Sequence, residues 1–124
     1  SEREWQLEKS GQWVKGKSGD TFGPTGPYLV TKDEIQDINN LNLNLEVNGK
    51  KMQAGNTKNM IFNTNFLISY LSKFMSLQPG DLITTGTPAG VGMGMKPQVF
   101  LKSGDNIKLS IDFLGEQNSK VVVK

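Results

Sequence analysis

The sequence predicts a mostly β domain with one substantial helix, an α+β fold occupying residues 1–124 as a single unit. Three observations carry that reading. Leu41, Leu43, Leu45 and Val47 alternate with Asn42, Asn44 and Glu46. Ile107, Leu109, Ile111 and Phe113 alternate in the same way with Lys108, Ser110 and Asp112. A period of two puts each apolar series on one face of a sheet. Between Asn63 and Met75 the period lengthens, and Phe66, Leu67, Tyr70, Leu71, Phe74 and Met75 recur at helical spacing as one buried face.

The remaining elements follow in order. Glu2 to Glu8 reads as a helical end with Trp5 as its main apolar residue, and Gly11 to Pro27 reads as an ordered loop rich in Gly and Pro. Tyr28-Leu29-Val30-Thr31 is a short strand, followed by the polar turn Lys32-Asp33-Glu34. After the first alternating series comes Asn48-Gly49, a pair that tolerates the positive φ angles of a tight hairpin turn. Lys51 to Ala54 is the returning strand. Asn63 or Thr64 caps the helix and Pro79-Gly80 ends its segment. Asp81 to Thr85 is a strand entering a Gly-rich loop from Gly86 to Met95. Lys102-Ser103-Gly104-Asp105 is a turn, Leu114-Gly115 breaks the second alternating strand, and Lys120 to Val123 forms the last one.

Composition narrows the function. Fourteen basic and twelve acidic residues are scattered rather than striped, which argues against nucleic-acid binding. No apolar run approaches the roughly 20 residues needed to span a bilayer, so no membrane partner is expected. With no Cys there is no thiolate nucleophile or Cys-ligated zinc, a composition that fits a cytoplasmic protein. With no His, the usual imidazole base is missing too. Chemistry within these residues falls to Lys, Arg, carboxylates and hydroxyls.

Two glycine-rich stretches invite a ligand. Gly11 to Ser18 satisfies the phosphate-loop spacing, but that loop must leave a buried strand and open a helix. The charged stretch before it and the Gly and Pro residues after it offer neither. Gly86, Gly90, Gly92 and Gly94 follow an apolar strand without the dinucleotide spacing. Small residues there let backbone amides and the Thr85 and Thr87 hydroxyls approach an anion. From spacing alone, a flexible turn between strands is the favoured reading. Lys15 and Lys17 sit among glycines where an ammonium can meet a carboxylate, though most loop lysines are solvated charges. Arg3 and Gln6, three apart, share a face if their segment is helical.

Taken together, several stretches resemble one family. They are Ser1-Glu2-Arg3-Glu4-Trp5-Gln6, Gly16 to Pro24, Gly26 to Thr31, Gly55-Asn56-Thr57 with Met60-Ile61-Phe62, Pro79-Gly80-Asp81, Thr84 to Gly92, and Phe100 to Asp105. In this order they resemble the C-terminal portion of the fumarylacetoacetate hydrolase family. The resemblance is to its smaller bacterial-type branch of 2-hydroxyhepta-2,4-diene-1,7-dioate isomerases and ureidoglycolate lyase-like enzymes.

The resemblance implies a mixed β-roll, incomplete in this chain, and a homodimeric enzyme that binds Mg²⁺ or Mn²⁺ through an aspartate and a Glu-x-Glu pair. Those ligands, like the family's lid His and Glu, fall ahead of the residues matching Ser1 onward. The resemblance therefore gives no metal ligand here and implies that the isolated chain is inactive or nearly so. Arg3 matches an arginine near the metal, Gln6 a glutamine contacting substrate, and Lys17 the active-site lysine. Thr21 matches a nearby threonine and Thr87 the substrate-contacting threonine of the glycine loop. Gly19 departs from the Phe common after Lys-Ser, which bears on pocket shape. The implied substrate is a small 2-oxo or 2-hydroxy dicarboxylic acid, transformed through an enolate by C–C hydrolysis, decarboxylation, isomerisation or lyase-type cleavage. The alternative is a non-catalytic anion-binding or assembly module using the same loops.

Overall fold

The computed structural model describes residues 1–9 and 11–123. A π-helical turn, Glu4–Glu8, is followed by a short helix α1, Trp13–Lys17. Strands β1, Asn42–Val47, and β2, Lys50–Asn56, come next, then helix α2, Thr64–Leu71. Strands β3, Asn106–Ile111, and β4, Gly115–Lys120, complete the fold. The four strands form one antiparallel sheet in the order β2-β1-β3-β4. The α+β class holds.

The two alternating series meet as their period demands. Leu43 pairs with Ile111, Leu45 with Leu109 and Val47 with Ile107, which puts all six on one face. Asn48 and Gly49 take φ angles of 51° and 76° and close the β1–β2 hairpin. The ends of the β1–β3 ladder are locked by short polar side chains. Asn48 Nδ2 donates to Asp105 Oδ1 at 2.9 Å, and Asn106 N donates to Asn48 Oδ1 at 2.9 Å. At the other end, Asn42 N and Nδ2 both donate to Asp112 Oδ2 at 2.8 Å. The turn at 102–105 forms as expected, with Lys102 N donating to Asp105 Oδ2 at 2.8 Å.

Elsewhere the expectations fail for identifiable reasons. Residues 28–31 and 81–85 are not strands, because an apolar run becomes a strand only where a neighbour completes its ladder. Residues 26–30 instead lie beside the Leu109 and Ile111 face of β3 and the Gly115 end of β4, bordering a groove of about 310 Å³. Gln117 Nε2 holds them there by donating to the Gly26 carbonyl at 2.5 Å. The second alternating strand stops at Ile111, and Phe113 turns out to solvent with a φ of 65°. The last strand begins at Gly115 and ends at Lys120, so 121–123 lie beyond it. Glu116-Gln117-Asn118-Ser119 carries no apolar alternation. Its pairing with β3 makes it a strand, with Lys108 Nζ 2.9 Å from Glu116 Oε2.

Asn63 caps α2 as expected, its Oδ1 accepting from Phe66 N at 2.9 Å. The regular helix ends at Leu71, well before Pro79-Gly80. Its aromatic face is not buried. Phe62, Phe66 and Tyr70 stack in succession and Phe74 meets Tyr70 edge-on, with centroids 4.7, 6.0 and 5.0 Å apart. Each is between 47% and 67% exposed, and Met75 is also exposed. The spacing was correct, but no strand packs broadly against this helix. The accessible area of 9830 Å² agrees. A compact monomer of this mass would expose about 6,600 Å². Leu41 is the one buried apolar residue among those described, at 5% exposed.

Candidate functional site

The lysine corner is built from two short helical pieces. Glu2 caps the first, its carboxylate accepting from Trp5 N at 2.7 Å and Glu4 N at 2.9 Å. These amides, Trp5 foremost, hold the Glu2 carboxyl below its ordinary range. Lys9 N donates to Glu4 O at 2.8 Å and closes the wide π turn. Gln6, 7% exposed, then lies against α1. Glu2 N donates to Gly16 O at 2.7 Å, and a Cβ on Gly16 would fall 2.5 Å from Gln6 Cβ. Only glycine permits that crossing, so Gly16 holds α1 against the Gln6 turn, one residue before Lys17.

α1 is a correction to the all-loop expectation for residues 11–27. It was hidden because its fourth residue, Gly16, is a poor helix former whose lack of a side chain serves the contact with Gln6. Lys17 and Ser18 close this helix, whereas a phosphate loop needs them to open one. The phosphate-loop reading is excluded on geometry.

Lys17 is exposed at the end of α1. Thr21, also exposed, takes a φ of 69° in the next turn, where Phe22 N donates to Gly19 O at 3.0 Å. A Cβ on Gly19 would stand 3.0 Å from the Phe22 ring, so that ring uses the space left by the small residue. The Arg3 guanidinium lies 4.6 Å from the Phe100 ring centroid and pairs with Glu8 at 2.9 Å.

The glycine loop is seated, not free. Gln53 Nε2 on β2 donates to Thr87 Oγ1 at 2.9 Å and to Pro88 O at 2.7 Å. A Cβ on Gly90 would be 2.0 Å from Met52 O, and one on Gly55 would be 2.7 Å from Pro88 Cβ. Contact this close, with Gly90 on the Met52 backbone and Gly55 under the Pro88 ring, corrects the flexible-turn reading. A groove of about 210 Å³ opens beside this contact, lined by Leu45, Gln53, Gly90, Val91, Val99 and Phe100.

Of the five residues anticipated from sequence, Arg3, Gln6 and Lys17 share one corner, and Thr21 stands on the adjoining turn. Arg3 reaches the groove beside the glycine loop through Phe100. No hydrogen bond or ion pair among the described residues joins Lys17 or Thr21 to Thr87. Gln53 and Phe100 were missed as individuals. Phe100 opened a recognised turn without a role, and Gln53 sits in a polar strand with no motif.

Among the described residues no three acidic, His or Cys side chains converge to hold a cation. The residues present do not make a metal site by themselves. No helix among them is long and apolar enough to cross a membrane.

The model of the C-terminal part of fumarylacetoacetate (FAA) hydrolase matches residues 1–122. The chain belongs to the fumarylacetoacetate hydrolase family. A Burkholderia ambifaria relative named as a hydrolase is 62% identical over 118 residues, covering 94% of this chain and 42% of the relative. The chain therefore spans about two-fifths of the length of the curated relatives it matches.

Solved structures agree. A fumarylacetoacetate hydrolase from psychrophilic Exiguobacterium antarcticum superposes with a TM-score of 0.93 at 41% identity, over 98% of this chain and 43% of the other. A maleylpyruvate hydrolase from Sphingobium sp. SYK-6, solved with manganese(II) and pyruvate, gives 0.80 at 39% identity, over 88% and 39%. A 2-hydroxyhepta-2,4-diene-1,7-dioate isomerase from Mycobacterium marinum gives 0.83 at 39%, over 97% and 43%.

Proposed function

We propose that these residues supply the anion-binding, charge-neutralising part of an enzyme acting on small 2-oxo or 2-hydroxy dicarboxylic acids. The observation that carries this is the line of contacts from Arg3 through Phe100 to the groove beside Thr87. Hydrolysis, decarboxylation, isomerisation and lyase-type cleavage of such acids share one electrostatic problem, negative charge building on an oxygen next to a carboxylate. Thr87 and the loop amides bind the carboxylate, Lys17 places positive charge on the developing oxyanion, and Arg3 and Gln6 line the approach. Thr21 borders Lys17.

The maleylpyruvate hydrolase solved with pyruvate and manganese supports both the substrate class and a divalent cation, Mg²⁺ or Mn²⁺, in the whole enzyme. Its protein ligands are assigned to the part of the family's length that lies outside these residues. The 124 residues alone form an incomplete catalytic unit and turn over slowly or not at all. The whole enzyme is a cytoplasmic homodimer in this reading, which the open aromatic ridge of α2 favours.

Calorimetric titration of the full-length protein with oxalate, with and without Mn²⁺, tests the proposal. Tighter binding with Mn²⁺, lost in Lys17→Met, is expected. Metal-independent binding would favour an anion-binding module instead. A turnover assay comparing the 124 residues with the full-length protein tests the incomplete unit, and comparable rates would refute it.

A further inference from the structure

Gln53 occupies an irregular place in the sheet. Glu46 faces Lys51 while Leu45 faces Gln53, so Met52 is the extra residue of a bulge. Bulges re-aim the side chains beside them. Here the half-buried Gln53 turns its amide to the glycine loop, with Nε2 2.9 Å from Thr87 Oγ1 and 2.7 Å from Pro88 O.

The second contact fixes the chemistry of the first. A carbonyl oxygen can only accept, so the end of the amide facing Pro88 O must be the NH₂. That same NH₂ faces Thr87, whose hydroxyl oxygen must accept there. The single Thr87 proton is then directed away from β2. An exposed hydroxyl held as an acceptor on its sheet side is a donor on its open side, the polarity a carboxylate requires.

We infer that Gln53 is a positioning residue that orients Thr87 as a hydrogen-bond donor to a ligand carboxylate while seating the glycine loop on β2. This rests on the proposed function, which sets Thr87 against that carboxylate. The close approaches of Gly90 to Met52 and of Gly55 to Pro88 hold the loop backbone near β2 and keep Thr87 within reach of Gln53.

The test titrates oxalate into the full-length protein with saturating Mn²⁺ at neutral pH, using Thr87→Val, Gln53→Glu, Gln53→Met, and each Gln53 change combined with Thr87→Val. Gln53→Glu carries most weight because it keeps size and shape. An ionised carboxylate only accepts, so it draws the Thr87 proton back toward β2 and repels Pro88 O. Thr87→Val should weaken oxalate roughly 10-fold or more, the scale of a lost hydrogen bond to a charged group. Gln53→Glu and Gln53→Met should each weaken it comparably, with melting temperature within a few degrees of the parent and Mn²⁺ affinity unchanged. On the Thr87→Val background the Gln53 changes should add less than about 2-fold, since there is no hydroxyl left to orient. Losses that multiply would mean Gln53 only holds the loop, and would overturn the inference. So would parent-like binding by Gln53→Glu while Thr87→Val is impaired. If Thr87→Val binds normally, the placement of Thr87 in the proposed function fails, and this inference fails with it.

Discussion

The two sides of the candidate site are held in opposite ways. The glycine loop is bound to the sheet by Gln53 and by close approaches of Gly90 to Met52 and of Gly55 to the Pro88 ring, so Thr87 inherits the order of β2. The lysine corner is folded on itself through the Gly16–Gln6 crossing and reaches toward the loop through Arg3 on Phe100. One side is therefore as stable as the scaffold. The other has its own local stability, and its small glycine crossing is where it can be opened.

The largest effect should come from Lys17→Met in the full-length enzyme. Removing a charge that stabilises an oxyanion should lower kcat by about 10²–10³. Lys17 is exposed, so the melting temperature should hold, and steady-state rates beside a melting curve would show both. An unchanged kcat would break the comparison by removing the lysine corner from the site.

Next in size is a pair of glycine changes. Gly90→Ala puts a Cβ 2.0 Å from Met52 O at a φ of +108°, and should cost about 3 kcal/mol of global stability. Gly16→Ala drives a Cβ to 2.5 Å from Gln6 Cβ, yet should leave the global transition nearly in place. Its effect should appear as faster amide exchange across 2–17. Equal global losses from the two would show that the corner and the sheet unfold as one unit.

Smaller still is the pH response of Asp105. The Lys102 amide, and then the Asn48 side chain, hold its carboxyl below the ordinary value. A folded pKa below the unfolded one means the contribution is complete above the unfolded value, about 4. It is lost as pH falls through the depressed folded value. Urea midpoints measured from neutral pH into acid should therefore fall more steeply in the parent than in Asp105→Asn. Glu2 has the same sign at the corner, so Glu2→Gln should flatten the acid response of amide exchange there instead.

Much of the sheet was legible because its cues are local. The alternation of 41–47, Asn48-Gly49, the 102–105 turn and the Asn63 cap each declare themselves within a few residues. β4 was invisible since its polar run is a strand only by virtue of β3. The runs at 28–31 and 81–85 misled for the reverse reason, having apolar character without a ladder. The face of α2 showed its period but not what covers it. Lys17 and Thr87 entered the candidate site through the resemblance of their loops. Gln53 did not, because a bulge is a relation between two strands and leaves no mark on either alone.

The most direct measurement is a crystal structure of the full-length protein with Mn²⁺ and oxalate bound. The expected result is one ligand with Thr87 Oγ1 donating to its carboxylate and Lys17 Nζ within hydrogen-bond reach of the same molecule. Oxalate held by one of these residues while the other faces separate solvent would contradict the account.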